Sequence, residues 1–275
     1  MMKKVLSNPR IIVSLIILVP LLVIALLGHL FTPYDPLEID YSAVLQSPSS
    51  THPLGTDEFG RDLLSRMIVG IRPTLVIAFS STAIAFFAGI VLGMAAGYFS
   101  GPVEQLIMRM MDILLCFPPI LLALMAVGFW GTGERILIVV MSLIYTPQFA
   151  RIAHSSTLQV KKMEYVENEI SLGASHFRTI WNSVLPNIMS PMIIQTSLTV
   201  AAAILLESGL SFLGLGVIPP NASWGQMIGT AKGYIYNSPT YVLWPSLCLC
   251  VTILAVNLLG DGLRDVLDPK LHRSI

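Results

Sequence analysis

Charge is what this sequence has least of. Asp, Glu, Lys and Arg make up 12% of its 275 residues, about half of the ~25% found in a water-soluble domain. A globule with water on every side is excluded. Sixteen basic residues balance sixteen acidic ones, so no surplus of one sign argues for nucleic acid as a partner. Cysteine is scarce as well. Cys116, Cys248 and Cys250 fall in apolar stretches with no Cys-x-x-Cys pair, which argues against a disulfide framework or a zinc site. No Gly-Lys dipeptide occurs, so no P-loop cradles a nucleotide phosphate. His29, His52, His154, His176 and His272 are scattered, without a carboxylate at metal-ligand spacing, and no Gly-x-Ser-x-Gly elbow is present. The expectation is therefore no catalytic residue, no cofactor and no metal.

Apolar residues fill the space that charge leaves, at 54% of the chain and a mean hydropathy of +0.75. Backbone polar groups find no water in lipid, so long uncharged runs must cross as helices. Such runs occupy 11–30, 74–99, 113–133, 136–150, 187–206 and 241–260. They predict an all-α integral membrane protein of six spans. The first run is long enough to span the roughly 30 Å hydrocarbon core and too long for the core of a cleavable signal peptide. The fourth is the weakest, being short and holding Pro147. Loop charge supports six spans with both termini cytoplasmic. That arrangement places Lys3, Lys4, Arg10, Arg109, Arg151, Lys161, Lys162, Arg178, Arg264, Lys270 and Arg273 inside, against Arg61, Arg66, Arg72, Arg135 and Lys232 outside.

Two segments between spans are long enough to carry function. The outer one, 31–73, opens with prolines. It is expected to end in a short interfacial helix capped by Thr56 or Asp57 and running to Arg72. The inner one, 151–186, is densely charged, and Val166, Ile170, Phe177, Ile180 and Val184 follow helical spacing. Gly173 interrupts that spacing and predicts two short helices joined at a bend. Organisation therefore divides into 1–73, the first span with its outer segment, and a core of 74–275 containing the inner loop. Within the second span Gly89, Gly93 and Gly97 form a small-residue strip for close helix packing, with a neighbour in the same chain or with a second subunit. Two acids sit near span ends. Asp112 is expected to pair with Arg109, and Glu207 with nearby Ser211 lies either on a substrate path or in structural hydrogen bonds.

The inner segment carries a pattern of its own. Glu167, Gly173, Leu185 and Pro186 stand in register with the Glu-Ala-Ala loop of bacterial ATP-binding-cassette import permeases, which this chain resembles. Asn168 and Glu169 replace the two alanines, and Ser183 stands where an apolar residue is usual. Three more stretches resemble the second permease subunit of the dipeptide, oligopeptide and nickel importers: His52 to Asp62, Leu210 to Gly225, and Asn257 to Pro269. The resemblance covers essentially the whole chain. It implies the type I importer permease fold in the bacterial inner membrane. It also implies a sister permease, two cytoplasmic ATP-binding subunits and an extracytoplasmic solute-binding protein as partners. Coupling to the ATPases would then run through Glu164, Tyr165, Val166, Glu167, Gly173, Ala174, Ser175, Leu185 and Pro186. The cargo stays open between peptides and nickel chelates. Two other readings compete: a self-sufficient channel or carrier, and a membrane enzyme built around His154, Ser155 and Ser156.

Overall fold

The computed structural model describes residues 7–267. Lys3, Lys4, Lys270, His272, Arg273 and the Asp268-Pro269 end of the last motif lie outside the described residues. The chain forms helices α1 (Pro9–Leu27), α2 (Leu63–Phe99), α3 (Pro102–Cys116), α4 (Pro119–Trp130) and α5 (Glu134–Lys161), followed by α6 (Glu164–Ser171) and α7 (His176–Thr179). A π turn, Ile180–Val184, leads into α8 (Leu185–Phe212), and α9 (Trp224–Ala231) and α10 (Pro239–Leu267) complete the bundle. Among the described residues the only β pairing is one isolated bridge, Thr56 to Asp62.

The weak span is the third, and the fourth is strong. α5 runs unbroken for 28 residues through Pro147, whereas the third is split into α3 and α4 with a 90° bend. The cause is the pair Pro118-Pro119. Two consecutive residues lack an amide proton, and Phe117 is driven to an extended backbone, φ −89° and ψ 132°. Pro119 then opens α4, a position where its missing N–H costs nothing. A lone proline such as Pro147 forfeits one bond and is tolerated inside a packed membrane helix.

Connectivity makes the bent pair a crossing. Gly28, at the end of α1, packs on Ile68 near the start of α2, so these helices run antiparallel. The far end of α2 meets the inner loop, where Tyr98 hydrogen-bonds His176 at 3.0 Å. Glu134, at the start of α5, shares a cavity with His29 and Arg72 at the opposite end. The chain must cross between Ser100 and Glu134, and α3 with α4 is what carries it.

The expected interfacial helix ending at Arg72 does not exist as a separate element. Asp62, rather than Thr56 or Asp57, caps the helix by accepting from Ser65 N at 2.8 Å. From there α2 continues for 37 residues, about 55 Å at ~1.5 Å per residue, and so stands well clear of the hydrocarbon at one end. Asp57 is instead buried as the centre of an ionic knot. Arg61 Nε donates to it at 2.6 Å and Arg66 Nε lies 3.3 Å away. Glu58 accepts from Tyr241 OH at 2.6 Å, which ties the outer segment to the start of α10.

The core is built on α2, α5 and α8, with α1 packed on α10. Gly89, Gly93 and Gly97 face α5 of the same chain. A Cβ added at Gly97 would lie 2.8 Å from Thr157 Cβ and 2.9 Å from the His154 carbonyl, and at Gly89 and Gly93 it would collide with Phe149 and Ala150. Small residues allow that approach because lipid supplies no hydrophobic drive between helices and close contact must do so.

Candidate functional site

The inner loop is a helical elbow held out from one end of the bundle. Lys162 and Met163 end α5 and start α6, whose first turn carries Glu164 and Glu167, where the helix dipole favours negative charge. α6 stops at Gly173, whose φ of +84° is open to glycine and strained for other residues. The N–H of Gly173 donates to Ile170 O at 3.0 Å and that of Ala174 to Glu169 O at 3.2 Å, closing the helix end. Ser175 then caps α7 by accepting from Arg178 N. A Cβ at Gly173 would meet nothing within 4 Å, so glycine is needed here for conformation and not for space.

Three polar contacts set the angle of the elbow. Ser183 Oγ donates to Glu169 Oε2. Asn187 Nδ2 donates to Tyr165 OH at 2.9 Å and to Ser183 O at 2.7 Å. At the bundle side, Lys161 Nζ donates to the Tyr98 carbonyl at 2.6 Å and lies 5.4 Å from the ring centroid of the same tyrosine. The Tyr98 hydroxyl in turn meets His176. Glu169 and Ser183, two of the departures from the import-permease pattern, thus face each other and make one bond.

Apolar positions of the elbow point two ways. Val166 and Val184 are buried and Ile180 is half-buried, seating the helices on the bundle. Leu172 is 88% exposed, Phe177 75% and Trp181 58%. The Phe177 and Trp181 rings stack 6.1 Å apart within 8° of parallel. The five positions expected on one face therefore divide: Phe177 and Ile170 are exposed while the other three turn inward. Helical spacing cannot show that the face is broken at Gly173. Leu172 and Trp181 fall outside the pattern, and sequence reasoning missed them. Around the tip, Glu164, Tyr165, Glu167, Gly173, Ser175 and Pro186 are exposed, and Ala174 and Leu185 are half-buried.

The remaining candidates lie elsewhere. Glu207 is fully buried near the C-terminal end of α8, accepting from Ser211 Oγ at 2.6 Å and from Ser208 Oγ at 3.3 Å. Asp112 pairs with Arg151 at 2.6 Å and not with Arg109. His154 Nε2 lies 2.8 Å from Glu104 Oε1, and Ser155 Oγ donates to Ile152 O. The serine and histidine offered for the enzyme reading do not meet. His52 Nδ1 also meets a carboxylate, Asp62, at 3.0 Å. Both histidine pairs join residues ten or more apart in sequence, which local spacing could not reveal.

Helices long and apolar enough to cross a membrane, with an elbow bearing an uncovered aromatic tip at one end and a knotted segment at the other, fit a membrane transport component. Residues 89–273 match the family described as "Binding-protein-dependent transport system inner membrane component", and residues 1–48 match the N-terminal transmembrane domain of oligopeptide transport permease C. The chain belongs to this family of ATP-binding-cassette importer permeases, in its peptide and nickel branch. It is 40% identical to the di/tripeptide transport system permease protein DppC of Pseudomonas aeruginosa, over 91% of this chain and 84% of that one. It is 38% identical to the glutathione transport system permease protein GsiD of Pectobacterium atrosepticum, at 91% and 84% coverage. Identity to the nickel transport system permease protein NikC of Escherichia coli K12 is 36%, at 94% and 93% coverage. The fold also matches the inward-facing MetNI methionine transporter, with a TM-score of 0.64 at 17% identity over 75% of this chain and 98% of that one. Members of the family are not catalytic. ATP is hydrolysed by separate subunits, and cargo is presented by a binding protein.

Proposed function

We propose that this chain pairs with a sister permease to form the path for peptides or nickel chelates, and that the elbow is where ATPase movement enters the membrane. The observation that carries the reading is the tip formed by Leu172, Phe177 and Trp181, which the bundle leaves uncovered. Large apolar side chains held out in water on a stiff elbow call for a partner groove. Glu164, Tyr165, Val166, Glu167, Gly173, Ala174, Ser175, Leu185 and Pro186 shape and seat that tip. In this scheme 74–275 is the transporting core and 1–73 an added span with an outer segment. Both termini face the cytoplasm. The binding protein delivers cargo to the ionic knot and the 211–240 loop, and a moving outer mouth uncovers Glu207 and Ser211. ATP binding favours the outward-open state because the ATPases grip the elbow differently in the two arrangements.

The test is Gly173→Val in the assembled transporter. A left-handed backbone at a non-glycine residue costs about 1 to 2 kcal/mol, and more at a β-branched one, so the tip is displaced while the spans are untouched. Uptake should fall roughly tenfold or more with normal membrane insertion and continuing ATP hydrolysis. Full uptake by that variant would refute the assignment of the elbow. Uptake by the isolated chain would restore the channel or carrier reading.

A further inference from the structure

One cavity at the end of the bundle opposite the elbow holds two opposite charges that the chain leaves unpaired. Its volume is 400 Å³, and it lies where the end of α1, the α2 face around Arg72 and the first residue of α5 converge. Arg72, Glu134 and His29 line it together with Asn221. No side chain of these four makes a hydrogen bond or ion pair among the described residues. Several other charges of this chain do find partners: Arg10 with Asp265, Arg61 with Asp57, Arg151 with Asp112.

The depth of the cavity says what kind of group is missing. Gly28 closes the apolar run of α1 and packs on Ile68, so the hydrocarbon boundary on α2 falls near Ile68. Arg72 lies one turn further in, at the level where side chains reach for headgroups. Below it the walls are Leu26 and Val76, both apolar and exposed. A guanidinium here calls for an anion, Glu134 calls for a cation, and the walls call for an acyl chain.

We infer that the cavity binds the headgroup of an aminophospholipid in the leaflet on the side of the 31–62 segment. The phosphate sits on Arg72, the primary ammonium on Glu134, and one acyl chain runs along Leu26 and Val76. Phosphatidylglycerol offers no cation to Glu134. The quaternary ammonium of phosphatidylcholine has no N–H to donate. The ethanolamine headgroup satisfies both charges. A soluble zwitterion such as glycerophosphoethanolamine carries the same phosphodiester and ammonium charges without the acyl chains, so the two sources can be separated.

The experiment is native mass spectrometry of the assembled, delipidated transporter with phosphatidylethanolamine, phosphatidylglycerol, phosphatidylcholine or soluble glycerophosphoethanolamine added at equal concentration. Wild type should retain phosphatidylethanolamine roughly tenfold over the others, the worth of one charge-assisted hydrogen bond. Arg72→Gln should abolish that retention. Glu134→Gln should keep lipid binding and lose the preference over both phosphatidylcholine and phosphatidylglycerol. Val76→Trp, which leaves every charge in place, should block the acyl chain and so lower retention even if Arg72→Gln fails to assemble. Equal retention of the three lipids by wild type overturns the inference, as does retention untouched by Val76→Trp. Equal binding of glycerophosphoethanolamine overturns the lipid as occupant. None of these results bears on the elbow.

Discussion

Glu169 and Ser183 are best understood as a matched pair. Where the import-permease pattern has alanine and an apolar residue, this chain has a carboxylate and a hydroxyl, and the hydroxyl donates to the carboxylate. A hydrogen bond to a charged group contributes about 1.5 to 3 kcal/mol, and here it fixes the angle between α6 and the π turn. Glu169→Ala removes the acceptor, and Ser183→Leu leaves the half-buried carboxylate facing a methyl group. Each single change should therefore lower ATP-driven uptake several-fold. The double variant restores an alanine-leucine contact and should recover most of it. A double-mutant cycle on uptake reads the coupling, with interaction energies for touching residues of roughly 0.5 to 3 kcal/mol. Additive losses would show that the two positions act separately. Read singly, each residue looked like a departure from a pattern; only the fold shows that one accounts for the other.

At the scale of elements, the contact between α2 and α5 is the most demanding in the molecule. Gly93 lies against the Ala150 carbonyl and Ala153. Gly93→Leu must push two spanning helices apart, and overpacking of this kind costs about 1 to 3 kcal/mol. Gly128 in α4 has nothing within 4 Å of an added Cβ, so Gly128→Leu is the control. Thermal unfolding in detergent should show a clear drop in Tm for the first and little change for the second; equal behaviour would remove the strip as a packing device. Most of this level was legible in sequence. Uncharged runs located the crossings, because lipid accepts no unsatisfied backbone, and Gly173 announced a bend. Hydropathy alone misjudged where crossings break. It penalised Pro147, which is tolerated, and passed over Pro118-Pro119, because two apolar prolines raise no alarm in a count of charges. The start of α2 was missed for a related reason. Thr56 and Asp57 have cap chemistry, but the Asp57 carboxylate is engaged by Arg61 and Arg66, an ionic knot that forms only in three dimensions.

The whole molecule has two chemically different ends, and the difference predicts which faces the cytoplasm. Arg10 pairs with Asp265, placing the start of α1 beside the end of α10. The antiparallel packing of α1 on α2 and the Tyr98–His176 bond put both at the elbow end, with Lys161, Lys162 and Arg178. At the other end stand Arg61, Arg66, Arg72, Arg135 and Lys232. Of these, Arg61 and Arg66 are buried against Asp57, much as Arg10 and Arg151 on the elbow side pair with Asp265 and Asp112. Ion pairing touches basic residues at both ends, so the excess of Lys and Arg at the elbow end stands as counted, and the positive-inside rule predicts that this end faces the cytoplasm. Cysteine labelling reads this directly. In a background with Cys116, Cys248 and Cys250 replaced, Ser50→Cys in the outer segment should react with a membrane-impermeant maleimide on intact cells. Asn168→Cys on α6 should react only after permeabilisation. Both positions are exposed in the fold, so burial does not explain silence at either. Labelling of Asn168→Cys on intact cells would invert the molecule, place the elbow beyond the reach of any ATP-hydrolysing partner, and end the proposed route of coupling.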